Sequence, residues 1–80
     1  LVKAAEQGVV NAQSKLGLLF ATGDGVARDP IEAHKWFLLA GHSGDVAALS
    51  NTRHSEGQLD VMQIAEASRR AKCWMDAKHT

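Results

Sequence analysis

The 80-residue chain has one cysteine, one proline, no tyrosine and four aromatic residues in all. A single thiol, Cys73, excludes an internal disulfide and a zinc site built on a cysteine pair. The shortage of aromatics speaks against strands, and 13 alanines with 8 leucines speak for helices. Charge of one sign is also missing: nine Lys plus Arg balance nine Asp plus Glu. Nothing in that balance supplies the basic field that nucleic acid or an anionic membrane needs. No apolar run approaches the roughly 20 residues of a membrane span, and no basic segment leads into an apolar one as in a secretion signal. The sequence reads as soluble, with no targeting region in view and the compartment left open. What is present is a modest core set. Leu, Ile, Val and Phe make up 18 of 80 residues in a neutral chain, which argues against disorder. A chain of this size buries only about 60% of its unfolded surface, so one thin-cored domain is the most it holds.

Sliding the sequence against itself by 36 residues places Ala4 over Ala40, Gly8 over Gly44, Ala12 over Ala48 and Ser14 over Ser50. Leu1, Val2 and Val10 fall over Phe37, Leu38 and Val46. A period of this length belongs to helix-hairpin repeats. Within the first full unit, Ala12, Leu16, Leu19 and Phe20 share one helical face and predict a helix from Val9 to about Thr22. Gly23-Asp24-Gly25-Val26 ends it. Asp29-Pro30 starts the next, Asp as N-cap and Pro at the first helical position, with Ala33, Trp36, Phe37 and Ala40 on one face to about His42 and Gly44 as the stop. Gly17 inside the first helix costs roughly 1 kcal/mol relative to alanine. We expect it to make room for the Trp36 indole, with Ala12, Ala33 and Ala40 allowing equally short helix spacing.

These residues resemble the Sel1-like repeat, a relative of the tetratricopeptide repeat. The resemblance is carried by Ala12, Leu16-Gly17, Phe20, Gly23, Gly25-Val26, Asp29, Ala33, Trp36, Ala40 and Gly44. Residues 1–8 are similar to the end of the second helix of such a repeat. The resemblance therefore implies a chain beginning within a repeat of a longer array, with upstream repeats as neighbours. It implies an all-α fold: a right-handed α/α solenoid of antiparallel helix hairpins, about two repeats here including a C-terminal capping hairpin. Residues 1–44 would hold the end of one repeat and a complete one, about 9–44, and residues 45–80 a degenerate repeat and cap. In that last part Thr52-Arg53 stands where Leu-Gly is expected and Glu56 replaces the aromatic. Asp60 with Gln63 forms a capping box for a final helix to about Asp76, whose apolar side is Val61, Ile64, Ala65, Ala71 and Met75. Arg69, Arg70 and Lys72 would form a solvated outer face.

No catalytic, metal or cofactor constellation emerges. Asp24 lacks the ligand spacing of a calcium loop and the Gly-Lys-Ser/Thr of a phosphate loop. His34 and His42 lie two helical turns apart, too far for joint ligation, and with His54 and His79 read as solvated or half-buried. Cys73 reads as a buried or partly buried cap residue, and Trp36 and Trp74 as packing residues. The resemblance implies a protein-binding scaffold or adaptor without catalysis, its partner a protein or peptide. It points to the first helix for contacts, with Gln13, Ser14 and Leu18 as candidates. Two alternatives are a β-lactamase-like or penicillin-binding activity, as in cysteine-rich relatives, and a segment that only caps the solenoid or self-associates through Leu1. The first lacks both the paired cysteines and a Ser-x-x-Lys motif.

Overall fold

A computed structural model describes residues 2–78. Among these residues five helices follow one another: α1 (Val2–Glu6), α2 (Val10–Thr22), α3 (Pro30–His42), α4 (Val46–Glu56) and α5 (Val61–Lys78). No strand occurs among the described residues, so the fold is all-α as expected. His79, one of the four histidines, and the Leu1 edge lie outside the described residues.

The local signals work as their chemistry dictates. Gly23 ends α2 in the left-handed region at φ 75°, donating its N–H to the Leu19 carbonyl at 2.7 Å. Asp29 caps α3 by accepting from the Glu32 N–H at 3.2 Å, ahead of Pro30. Asp45 caps α4 through the Ala47 and Ala48 N–H groups. The capping box at α5 is reciprocal: the Gln63 N–H donates to Asp60 at 2.8 Å and the Asp60 N–H to Gln63 at 3.0 Å. Helix α5 runs to Lys78, two residues past the expected end.

Helix α3 is the hub, and each of its faces meets a different neighbour. Towards α2 it presents Phe37, whose ring lies against Gly17: a Cβ built there would fall 2.6 Å from the ring. The indole of Trp36 was expected in that place. It turns instead, about 100° around the helix, into a cluster with Ala5, Ala12, Leu16, Leu39 and Ala71. Towards α4, α3 presents His34, which hydrogen-bonds the Ser55 hydroxyl at 3.0 Å, and Gly41, which receives Leu49.

The third face carries the largest departure from expectation. The capping hairpin that the resemblance implies would lay the last helix along α4 as α3 lies along α2. Instead α5 packs on α3, on the flank away from α4. Trp74 meets Trp36 edge to face, with ring centroids 6.2 Å apart at 73°, and Arg70 reaches Glu32 at 2.9 Å. Arg70 near the start of α3, Trp74 at its middle and Lys78 near His42 and Ser43 set the two helices parallel.

The physical reason lies in the faces available. In α4 only Ala48 and Ser55 are buried, and both are turned towards the rest of the fold. The side of α3 bearing Trp36 and Leu39, by contrast, offers a large apolar surface with Glu32 at its edge. Accordingly Ala67 and Ala71 are the buried residues of α5, while Val61 is 83% exposed and Ala65 lies on the outside, contrary to the expected apolar side. Arg70 is an inter-helix ion partner rather than part of a purely solvated face.

Candidate protein-interaction surface

Helices α2 and α4, with the start of α3 between them, enclose a cleft of about 290 Å³. Its floor is apolar, made by Ala21, Pro30, Ala33 and Phe37. Leu18 stands at one lip, 46% exposed, and Asn51, His54 and Gln58 stand at the other. The floor is fixed by the close contact of Gly17 with Phe37 and by the Asp29-Pro30 start of α3. The α4 lip is fixed by two polar ties. Ser14 donates its hydroxyl proton to Asp45 at 2.6 Å, joining α2 to the cap of α4, and Ser55 holds His34. The Ser14 hydrogen bond also holds the Asp45 carboxyl below its usual range.

The three candidate contact residues have different fates. Leu18 projects into the cleft mouth. Ser14 is half-buried and occupied with Asp45. Gln13 is 1% exposed, and its amide donates to the Ala5 carbonyl at 3.1 Å, which takes it out of reach of a partner at this cleft. It is a tie between α1 and α2. Sequence reasoning missed Asn51, His54 and Gln58. His54 on α4 is hydrogen-bonded to Gln58 just past its end, and their i, i+4 spacing was the available signal.

The remaining candidates are spread across the molecule. Ala12, Leu16, Gly17, Ala33, Trp36 and Ala40 are buried, Phe20 is half-buried, and Gly23, Gly25 and Gly44 all have positive φ. His34 is fully buried, not solvated or half-buried. Burial pushes its imidazole below the ordinary value of 6.5, and the Glu56 charge only partly opposes this. Cys73 is exposed, against the expected burial. Among the described residues, no group of three or more His, Cys, Asp or Glu side chains is placed to hold a metal ion, and no helix is long and apolar enough to cross a membrane.

A second hollow, about 280 Å³, lies at the other end of α3, between Gln13, Leu39, His42, Trp74 and Lys78. The Lys78 ammonium sits 5.4 Å from the Trp74 ring centre at its edge.

Helix pairs joined by a glycine-rich loop, with capped starts and an alanine-rich seam, define a helical repeat protein. Residues 10–45 match the Sel1 repeat and are one such repeat, within the tetratricopeptide-like superfamily. Over 42 residues the chain is 43% identical to Chitin synthase regulatory factor 3 of Schizosaccharomyces pombe. That stretch is 52% of this chain and 4% of the length of the yeast protein.

Proposed function

We propose that this chain is a protein-interaction module, a scaffold or adaptor element without catalysis, and that its partner docks an apolar side chain into the cleft between α2 and α4. The observation that carries the reading is the exposure of Leu18 over an apolar floor. A leucine on a helix that is otherwise well packed, beside Phe37 and Pro30, forms a small concave apolar site with polar groups on one rim. His54, Asn51 and Gln58 are suited to hydrogen-bond a peptide backbone or a polar flank, while a single apolar anchor fills the floor.

Membership of residues 10–45 in the Sel1 repeat supports the reading, because such repeats generally serve interaction. The yeast relative is named for regulating a chitin synthase, which agrees with binding rather than chemistry at the shared repeat. In this reading residues 1–44 supply the repeat that holds the cleft floor, and residues 45–80 supply its α4 lip.

The test is selection of peptides against the purified chain from a random library, followed by mapping of the bound peptide by amide chemical shifts. Shifts concentrated on Leu18, Ala21, Asn51 and His54 are expected, with binding lost in Leu18→Asp. Peptides that bind with shifts elsewhere and keep their affinity in Leu18→Asp overturn the assignment.

A further inference from the structure

We propose that α5 is an exchangeable strap, and that the groove it fills on α1, α2 and α3 accepts α5 of a second copy of this chain, giving a dimer by reciprocal exchange.

Three observations carry this. The first is where α5 is anchored. Its buried Ala71 joins the cluster of Trp36 and Leu39, its Trp74 meets Trp36 and its Arg70 pairs with Glu32, so these anchors lie on the body of the chain rather than on α4, its predecessor in sequence. A helix held in this way is tethered to the body by its connector alone on the α4 side, and the same contacts form unchanged when the helix comes from another copy.

The second is the connector. Only Gly57 to Asp60 separates α4 from α5. Gly57 is already right-handed helical, at φ −66° and ψ −15°. The reversal rests on Gln58, Leu59 and the capping box at Asp60, so a short rearrangement there carries α5 away from its own groove.

The third is what the present position of α5 leaves open. Val46 is 75% and Leu49 53% exposed on α4, the helix that α5 would cover in a capping hairpin. An opened chain therefore has an apolar face to rest against while its own groove stands free.

The groove also selects its occupant. Trp74 lies on Trp36, and Arg70 bridges Glu32 and Glu66. A helix with a tryptophan four residues after an arginine, both on an alanine-lined face, meets this set of contacts. The helix of that description in this chain is α5 itself, which commits the partner to a second copy.

The α2/α4 cleft involves neither α5 nor Trp36 and shares only Gln58 with the connector. The test of the exchange is charge-swap complementation. In Glu32→Arg alone the groove repels Arg70 of the same chain, and in Arg70→Glu alone the strap repels Glu32. When the two variants are refolded together, exchange puts each strap in the groove of the other copy, where the signs match. We expect each variant alone to run at the single-chain mass of 8.6 kDa and the mixture to give a species of twice that mass by light scattering. If loosening the strap unfolds either variant, the mixture must regain helix signal that neither has alone. A mixture whose mass and helix content equal the sum of its parts overturns the proposal. As a second arm, removing Gln58 and Leu59 prevents α5 from folding back. That variant should be a dimer with Trp74 still half-buried against Trp36, and a monomer with an exposed Trp74 contradicts the proposal.

Discussion

Gly17 illustrates how a single atom decides the spacing of two helices. Its missing Cβ lets the Phe37 ring lie where a methyl group would fall 2.6 Å from a ring carbon. Replacing Gly17 by alanine gains about 1 kcal/mol of helix propensity. It also forces the ring aside, and overpacking of this kind costs about 1 to 3 kcal/mol. We expect Gly17→Ala to be destabilising overall in a urea titration, and a higher midpoint would show that Phe37 yields freely. Sequence patterning pointed to a close approach at Gly17 but to the wrong aromatic. Trp36 and Phe37 are neighbours 100° apart on one helix, and periodicity alone does not say which of two adjacent rings faces a given partner. His34 acts through charge rather than volume. Its ring is buried with Nδ1 on Ser55 and Nε2 without a protein partner, so the folded state favours the neutral form. Above the unfolded value of 6.5 the ring is neutral in both states and its contribution is complete. As pH falls below that value, the unfolded chain takes up a proton that the folded one refuses, and stability declines towards the lower folded pKa. Urea midpoints at about pH 8 and about pH 5.5 should differ in the wild type and differ less in His34→Gln. Equal differences in the two proteins would remove His34 from the acid response.

Most boundaries of the helices can be read from caps, because an N-cap is a local contract between one side chain and the next few amides. Asp29-Pro30, Gly23 and the Asp60–Gln63 box each mark their helix end without help from the rest of the fold. The destination of α5 was not legible in the same way. Its alanines and Trp74 announce an apolar face, but the surface that receives it is assembled from α1, α2 and α3 and exists only once they have packed. The resemblance to hairpin repeats implied a capping hairpin, with α4 as the neighbour. The apolar flank of α3 was the better partner. Trp36 is the keystone of that flank, 3% exposed between the α2 side and Trp74. Trp36→Ala should lower stability by about 3 to 5 kcal/mol. Because α5 leans on the same indole, the loss should appear in hydrogen exchange as faster exchange in α5 as well as α3. Normal protection of α5 in this variant would mean that Trp74 and Arg70 hold the helix unaided.

At the scale of the whole chain, one hub helix divides the labour. One side of α3 takes up the strap, another supplies the floor of a cleft whose walls are α2 and α4. The polar ties of that cleft, Ser14 to Asp45 and His34 to Ser55, keep its walls in place without filling it. Of this site, Leu18 was a candidate only because the family resemblance gives the contact face to the first helix. The burial of Gln13 was not legible, since only the presence of the Ala5 carbonyl makes a glutamine there a buried tie. The α4 residues were hidden by the decay of the repeat pattern beyond residue 50. The most direct measurement of the interaction reading is the affinity of one cleft-selected peptide for the wild type and for Leu18→Asp, by calorimetry, with thermal unfolding of both as the control for fold. Loss of a buried apolar anchor and introduction of a charge should weaken binding by at least about tenfold, while the unfolding temperature stays unchanged, as expected for a surface position. Unchanged affinity in a folded Leu18→Asp chain would contradict the account.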